Sequence, residues 1–162
     1  MDEKHKSSSA ANLLELKALG CTNLRLRQLM RRVAQHYDIE MAKVGLKTTQ
    51  YSLLSHVLKL GPVRPGDLAK SMKISASTLT RNLKPLVDAG WVALANGSDA
   101  RSRSVAITAA GHSKRYEARR HWKFAQEGLN TLLGARRVLA LHALINESLE
   151  LLVEDDMAAV DE

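Results

Sequence analysis

The sequence predicts a mainly α-helical fold carrying one small β-hairpin. Three observations predict it. Apolar residues recur at helical spacing along most of the chain. One pair of short runs, 91–95 and 103–107, has strand character, and Asn96-Gly97 follows the first of them as a turn. Between the helical stretches stand residues that start and stop helices, with Ser75 and Thr108 as caps and Gly61, Gly90 and Gly134 as terminators.

Each element follows in order. Residues 1–12 are polar and are expected to form a disordered tail. From Leu24 onward Leu26, Leu29, Met30, Val33 and Tyr37 mark a helix, with Arg25, Arg27, Arg31 and Arg32 set between them. The stretch VGLKTTQ breaks it. A second helix is expected from Thr48 or Thr49 to Gly61, which stands ahead of Pro62. A short third helix has Pro65 in its first turn, where a missing N–H costs nothing, and Asp67 near its positive end. MKIS is the following turn. A fourth helix spans 76–89, with Pro85 inside it removing a bond to the Arg81 carbonyl. After the hairpin a long basic helix is expected over 109–131, then a last one carrying Val138, Leu139, Leu141, Leu144, Ile145, Leu149 and Leu152.

Helix, short helix, turn, helix and hairpin, in that order, make a winged helix-turn-helix. Leu68, Ala69, Met72, Ile74 and Leu79 would form the small core between its crossing helices. That leaves Ser75, Ser77, Thr78, Thr80, Arg81 and Lys84 on the outer face. Small hydroxyl residues let a helix approach a groove floor, while Arg81 can bond a guanine edge and Lys84 a phosphate. A solvated helix face is the bland alternative. Charge favours the first reading. Between Lys43 and Arg103 ten bases face three acids, and all seven acids from Glu147 onward lie beyond the last base, so residues 1–146 carry +14.

Composition narrows the classes further. One Phe, two Trp and three Tyr leave little for a platform that stacks single-stranded bases. A single cysteine excludes an internal disulfide, and no apolar run approaches the ~20 residues of a membrane span. A soluble, cytoplasmic protein is expected. The six histidines (His5, His36, His56, His112, His121, His142) show no i, i+4 pairing. With no nucleophile constellation and no Gly-rich phosphate loop, neither an enzyme nor a metal or other cofactor is expected.

The run SASTLTRNLKPLVDAGWV followed by DARSRSVAITAAG resembles the multiple-antibiotic-resistance-regulator (MarR) family. The family's recognition-helix pattern Ser-Thr-x-Thr-Arg stands here as Ser77, Thr78, Leu79, Thr80 and Arg81. Its wing pattern stands as Asp99, Arg101, Arg103, Val105, Ile107, Thr108 and Gly111, with Ile107 in place of leucine. The similarity covers roughly residues 24–152. It implies a double-stranded DNA-binding transcriptional regulator, more often a repressor than an activator, that acts as a homodimer on a pseudopalindromic operator. Residues 13–162 would then be a single chain, with a DNA-binding lobe at 46–110 and dimerisation helices at 13–45 and 111–155. In such wings the arginine two after the acid enters the minor groove, a role that falls on Arg101. Asp99 would hold its guanidinium, and Arg103 would reach a phosphate or brace the hairpin. An ordinary surface ion pair at Asp99 is the alternative, as is a nonspecific nucleoid-type protein for the whole chain.

The resemblance also implies release by a small aromatic or phenolic acid, for which Arg27, Tyr37, Tyr51 and His56 are the candidate residues. A hydroperoxide-sensing branch of the family holds a reactive cysteine in its first helix between tyrosines. Tyr37 could match one of these, but Cys21 falls about two residues early and Thr48 stands where a second tyrosine would be. Cys21 is therefore expected to be a small buried residue, with redox sensing as the alternative. The basic run His112, Lys114, Arg115, Arg119, Arg120 and Lys123 either faces phosphates at long range or is a solvated helix face.

Overall fold

Eight elements make up residues 20–95 and 104–158, which the computed structural model describes: α1 (Thr22–Ala42), α2 (Thr48–Leu60), α3 (Pro65–Ser71), α4 (Ala76–Asp88), β1 (Val92–Ala95), β2 (Ser104–Ile107), α5 (Ala109–Leu133) and α6 (Ala135–Ala158). The expected tail at 1–12 and turn at Asn96-Gly97 lie outside these residues. The architecture is the mainly helical one with a single hairpin that the sequence predicts. Among the described residues no helix is long and apolar enough to cross a membrane.

Two compact units divide the chain at 1–35 and 36–162, the division falling inside α1. In the first unit, Leu24, Leu26, Leu29 and Met30 are all exposed. Cys21, at the foot of α1, is exposed as well, which corrects the expectation of a buried thiol: no side chain in this part of α1 is buried.

The core of the second unit is built around α2. Leu53, Leu54 and Val57 have no exposed surface, and Leu68 of α3, Leu79 and Leu86 of α4, and Val105 of β2 are buried with them. Two side chains start α2. The Gln50 amide oxygen accepts from the Lys47 N–H at 2.8 Å. Asp38, reaching across from α1, accepts from both the Thr48 N–H at 2.8 Å and its hydroxyl at 2.7 Å. The carboxylate satisfies donors that a helix start leaves open and sits at the positive end of the helix.

The second-unit part of α1 is fastened to α5. His36 Nε2 donates to the Ala125 carbonyl at 2.9 Å, and the Tyr37 hydroxyl donates to the Gln126 side chain. Burial pushes the Tyr37 phenol above its ordinary range. Trp122 stacks on Tyr51 with centroids 5.9 Å apart and lies 6.4 Å from Tyr37. Nearby, the hydrogen bond from Lys43 at 2.6 Å, with a lesser contribution from His121, holds the Glu40 carboxyl below the usual carboxylate range.

The hairpin is antiparallel with Val92 opposite Ile107 and Ala95 opposite Ser104. Val63, from the segment between α2 and α3, adds a bridge on the other side of β2. Its N–H donates to the Val105 carbonyl at 3.0 Å and its carbonyl accepts from the Val105 N–H at 2.8 Å. Thr108 then joins three elements. Its hydroxyl donates to the Gly90 carbonyl at 2.7 Å and accepts from the Gly111 N–H at 3.0 Å, which caps α5. Its own N–H donates to the Trp91 carbonyl at 3.1 Å.

This packing explains the glycine of the Thr-x-x-Gly motif. A Cβ on Gly111 would fall 2.0 Å from the Trp91 carbonyl oxygen and 2.8 Å from Ile107 Cγ1. Alanine is ordinarily better than glycine inside a helix by about 1 kcal/mol. Here Gly111→Ala is expected to destabilise the protein by ~1–3 kcal/mol, because the backbone of the Gly90–Trp91 turn would have to shift. A thermal melt checks this, and an unchanged or raised melting temperature would contradict it.

Candidate nucleic-acid interface

The helix-turn-helix is α3, a turn at residues 72–74, and α4. Leu68 and Ala69 of α3 and Leu79 of α4 are buried, with Met72 and Ile74 packed against them, the small core the sequence predicts. The turn closes on backbone bonds alone: Lys73 N–H to the Lys70 carbonyl and Ile74 N–H to the Ala69 carbonyl, each 3.0 Å.

Ser75 caps α4, with extended backbone and its hydroxyl accepting from the Thr78 N–H at 3.2 Å. The same hydroxyl lies 3.0 Å from the Ser77 hydroxyl and donates to the Thr78 hydroxyl at 2.9 Å. These three side chains therefore form one small polar cluster at the start of the helix. On the inner face Leu79, Leu83 and Leu86 are buried, at the i, i+4, i+7 spacing of one helical stripe. Ser77, Thr80, Arg81 and Lys84 are exposed on the other side. Pro85 is also exposed, so its missing N–H leaves no buried gap and α4 runs through it to Asp88.

The outer side chains differ in how they are held. Thr80 Oγ1 donates to the Ala76 carbonyl at 2.9 Å and keeps its lone pairs. Lys84 is paired with Asp88 at 2.8 Å, but both are largely exposed, and such a pair is worth only ~0–1 kcal/mol. Arg81 has neither a hydrogen bond nor an ion pair among the described residues. Its guanidinium remains available for two parallel bonds to one acceptor pair.

Asp99, Arg101 and Arg103 lie outside the described residues, on the segment joining the paired ends Ala95 and Ser104. The basic run on α5 is partly absorbed by the fold. Lys114 lies over the Trp91 ring and pairs with Glu117 at 3.0 Å. Arg115 lies over the Tyr51 ring, its Nε donating to the Ser55 hydroxyl at 3.3 Å, and Arg120 lies over Phe124. Charge spacing along one helix carries no sign of these rings.

The candidate effector residues are placed as follows. Arg27 is exposed in the first unit, with its Nε donating to Asn23 Oδ1 at 3.1 Å. In the second unit Tyr37 and Tyr51 are buried in the aromatic stack with Trp122, and the His56 ring bonds its own helix at the Ser52 carbonyl at 2.8 Å.

Comparison with known proteins gives the following. A model of the MarR family matches residues 44–102, from just after α1 to just before β2. The uncharacterized HTH-type transcriptional regulator YwoH of Bacillus subtilis is 29% identical over 92 residues, covering 57% of this chain and 66% of YwoH, just under two thirds of its length. The M. tuberculosis transcriptional regulator MosR, solved in complex with DNA, is 30% identical, with a TM-score of 0.64 over 79% of this chain and 97% of that one. A MarR variant from E. coli complexed with operator DNA shares the fold at a TM-score of 0.70 and 19% identity, over 78% of this chain and 92% of that one.

Proposed function

The chain belongs to the MarR family of transcriptional regulators, and on that premise we propose that it binds double-stranded DNA sequence-specifically, as a homodimer on a pseudopalindromic operator. The observation that carries this reading is the outer face of α4. Ser77, Thr80 and Arg81 are exposed together on a helix whose opposite stripe of leucines is buried, and Ser75 caps its start. Arg81 reads a guanine edge in the major groove, small hydroxyls allow close approach, and Lys84 exchanges Asp88 for a phosphate. Arg101, steadied by Asp99, reads the width of the neighbouring minor groove, and Arg103 supports the hairpin or a phosphate. The DNA complex of MosR supports this use of the fold.

Dimerisation follows from unpartnered apolar surface. Leu139, Leu144, Ile145, Leu149 and Leu152 of α6 are exposed, with Leu139 at 72%, and Leu24 and Met30 of α1 are exposed in the first unit. Faces of this kind mark an interface with another chain. The protein acts in the cytoplasm as a repressor, released by a small aromatic acid. Arg27 offers such an acid its terminal guanidinium nitrogens, which make no hydrogen bond among the described residues. The exposure of Cys21 favours a second reading of the signal, in which a hydroperoxide oxidises the thiol.

Three experiments check these statements. A binding-site selection on random duplexes is expected to return an inverted repeat. Arg81→Ala should then lose discrimination at one base pair per half-site, at a cost of ~1–3 kcal/mol, whereas Arg101→Ala should weaken binding to A·T-rich flanks only. Equal losses on every sequence would refute the assignment. Removal of residues 136–162 is expected to give monomers in light scattering, and a stable dimer after that removal would exclude α6 from the interface. Benzoate is expected to weaken operator binding by the wild type and less so by Arg27→Ala. Release by stoichiometric organic hydroperoxide, abolished in Cys21→Ser, would instead establish the redox reading.

A further inference from the structure

Lys73 is the one non-glycine residue with positive φ among the described residues, at 52°. The other positive values, at Gly20, Gly45, Gly61, Gly90 and Gly134, all belong to glycines. A residue with a Cβ is disfavoured in this left-handed region, whereas glycine enters it freely. The turn between α3 and α4 demands the conformation, because Ala69 is buried, Ile74 is packed against the core, and the N–H of Ile74 must reach the Ala69 carbonyl. A glycine would meet that demand with less strain. The sequence places a lysine there.

Among the described residues nothing compensates for it. The Lys73 side chain is exposed and makes no hydrogen bond or ion pair among the described residues, unlike Lys43, Lys84 and Lys114, each of which holds a carboxylate. Lys70, on the last turn of α3, is likewise exposed without a partner among the described residues. The turn needs the backbone conformation but not the side chain, so a lysine kept where glycine would fit with less strain points to a role for its ammonium outside the fold. The location narrows that role. Lys73 lies two residues before the cap of α4, and in a helix-turn-helix the first helix crosses the phosphate backbone while the second enters the groove.

We propose that Lys73 is a positioning residue for DNA, its ammonium binding a backbone phosphate beside the groove that α4 enters, with Lys70 as the neighbouring cation. This rests on the DNA-binding reading above. The contact carries no sequence information. It sets the register in which Arg81 meets the base edges, and its strength comes from release of counterions condensed on the duplex.

The test compares full-length wild type, Lys73→Gly and Lys73→Arg. Each is titrated into a short fluorescent duplex of mixed sequence over a range of KCl concentrations, and each is melted. Lys73→Gly is expected to melt at or above the wild-type temperature. Its plot of log affinity against log salt should be shallower by about 0.9 for each bound chain, or roughly eightfold weaker binding per chain at about 0.1 M salt. Lys73→Arg should keep the wild-type slope. An unchanged slope in Lys73→Gly would overturn the proposal. So would a lower melting temperature for that variant, since the lysine would then be serving the fold. Wild type without salt-dependent DNA binding would instead refute the DNA-binding reading itself, so the two failures are distinct.

Discussion

The carbonyl of Trp91 lies where a side chain on the first turn of α5 would otherwise be, and much of the DNA-binding lobe is arranged by that contact. Gly111 permits it by having no Cβ, and the Thr108 hydroxyl secures it by bonding Gly90 on one side and Gly111 on the other. The end of α4, the start of β1, the end of β2 and the start of α5 therefore meet at one joint. Rotating α4 about its axis would drag the Gly90–Trp91 turn into α5. The outer face of α4 and the paired ends Ala95 and Ser104 are consequently held in fixed relation, as the proposed pair of contacts to one duplex requires. Such a constellation is useful only when its supports are rigid.

A second constraint is the sorting of positive charge. The basic side chains of this region fall into two physical groups, with Lys84 between them. Lys114 and Arg115 lie over aromatic rings and reach a carboxylate or a hydroxyl, so their charge is part of the packing between α5 and the rest of the lobe. Lys70, Lys73 and Arg81 are exposed with no such partner among the described residues. Lys84 is intermediate, in a solvent-exposed pair weak enough to exchange. A formal charge sum treats all of these alike, whereas the proposed contacts to a duplex draw on the second group, whose charge the described packing does not use.

The parts that the sequence made legible are those written in local grammar. Ser75 and Thr108 are caps, Gly61, Gly90 and Gly134 follow helix ends, and the leucine stripe of α4 points inward, because each depends on neighbours within a few residues. The exposure of Ser77, Thr80, Arg81 and Lys84 on the outer face of α4 was legible for the same reason. The parts that were not legible depend on distant contacts. Trp122 joins Tyr37 and Tyr51, which turns two candidate ligand residues into members of an aromatic stack. Asp38 starts a helix ten residues further on. The exposure of Cys21 was missed because helical periodicity shows which residues share a face but not whether anything covers that face.

The bridge at Val63 has a consequence for how such a protein can change over generations. It closes one edge of β2 while β1 closes the other, so β2 is held along both sides and the hairpin is anchored right up to Ala95 and Ser104. The backbone pairing of β1, β2 and Val63 is made entirely by residues outside the segment that joins those two positions. Doubling the length of a flexible loop adds only about 0.6 kcal/mol of closure entropy. A change of length in the joining segment therefore leaves that pairing intact, while the face of α4, set on a helix whose inner stripe is buried, changes one side chain at a time. On the proposed reading, descendants of this chain could change the flanks and the half-sites of an operator in separate steps, each intermediate keeping the pairing that holds β2.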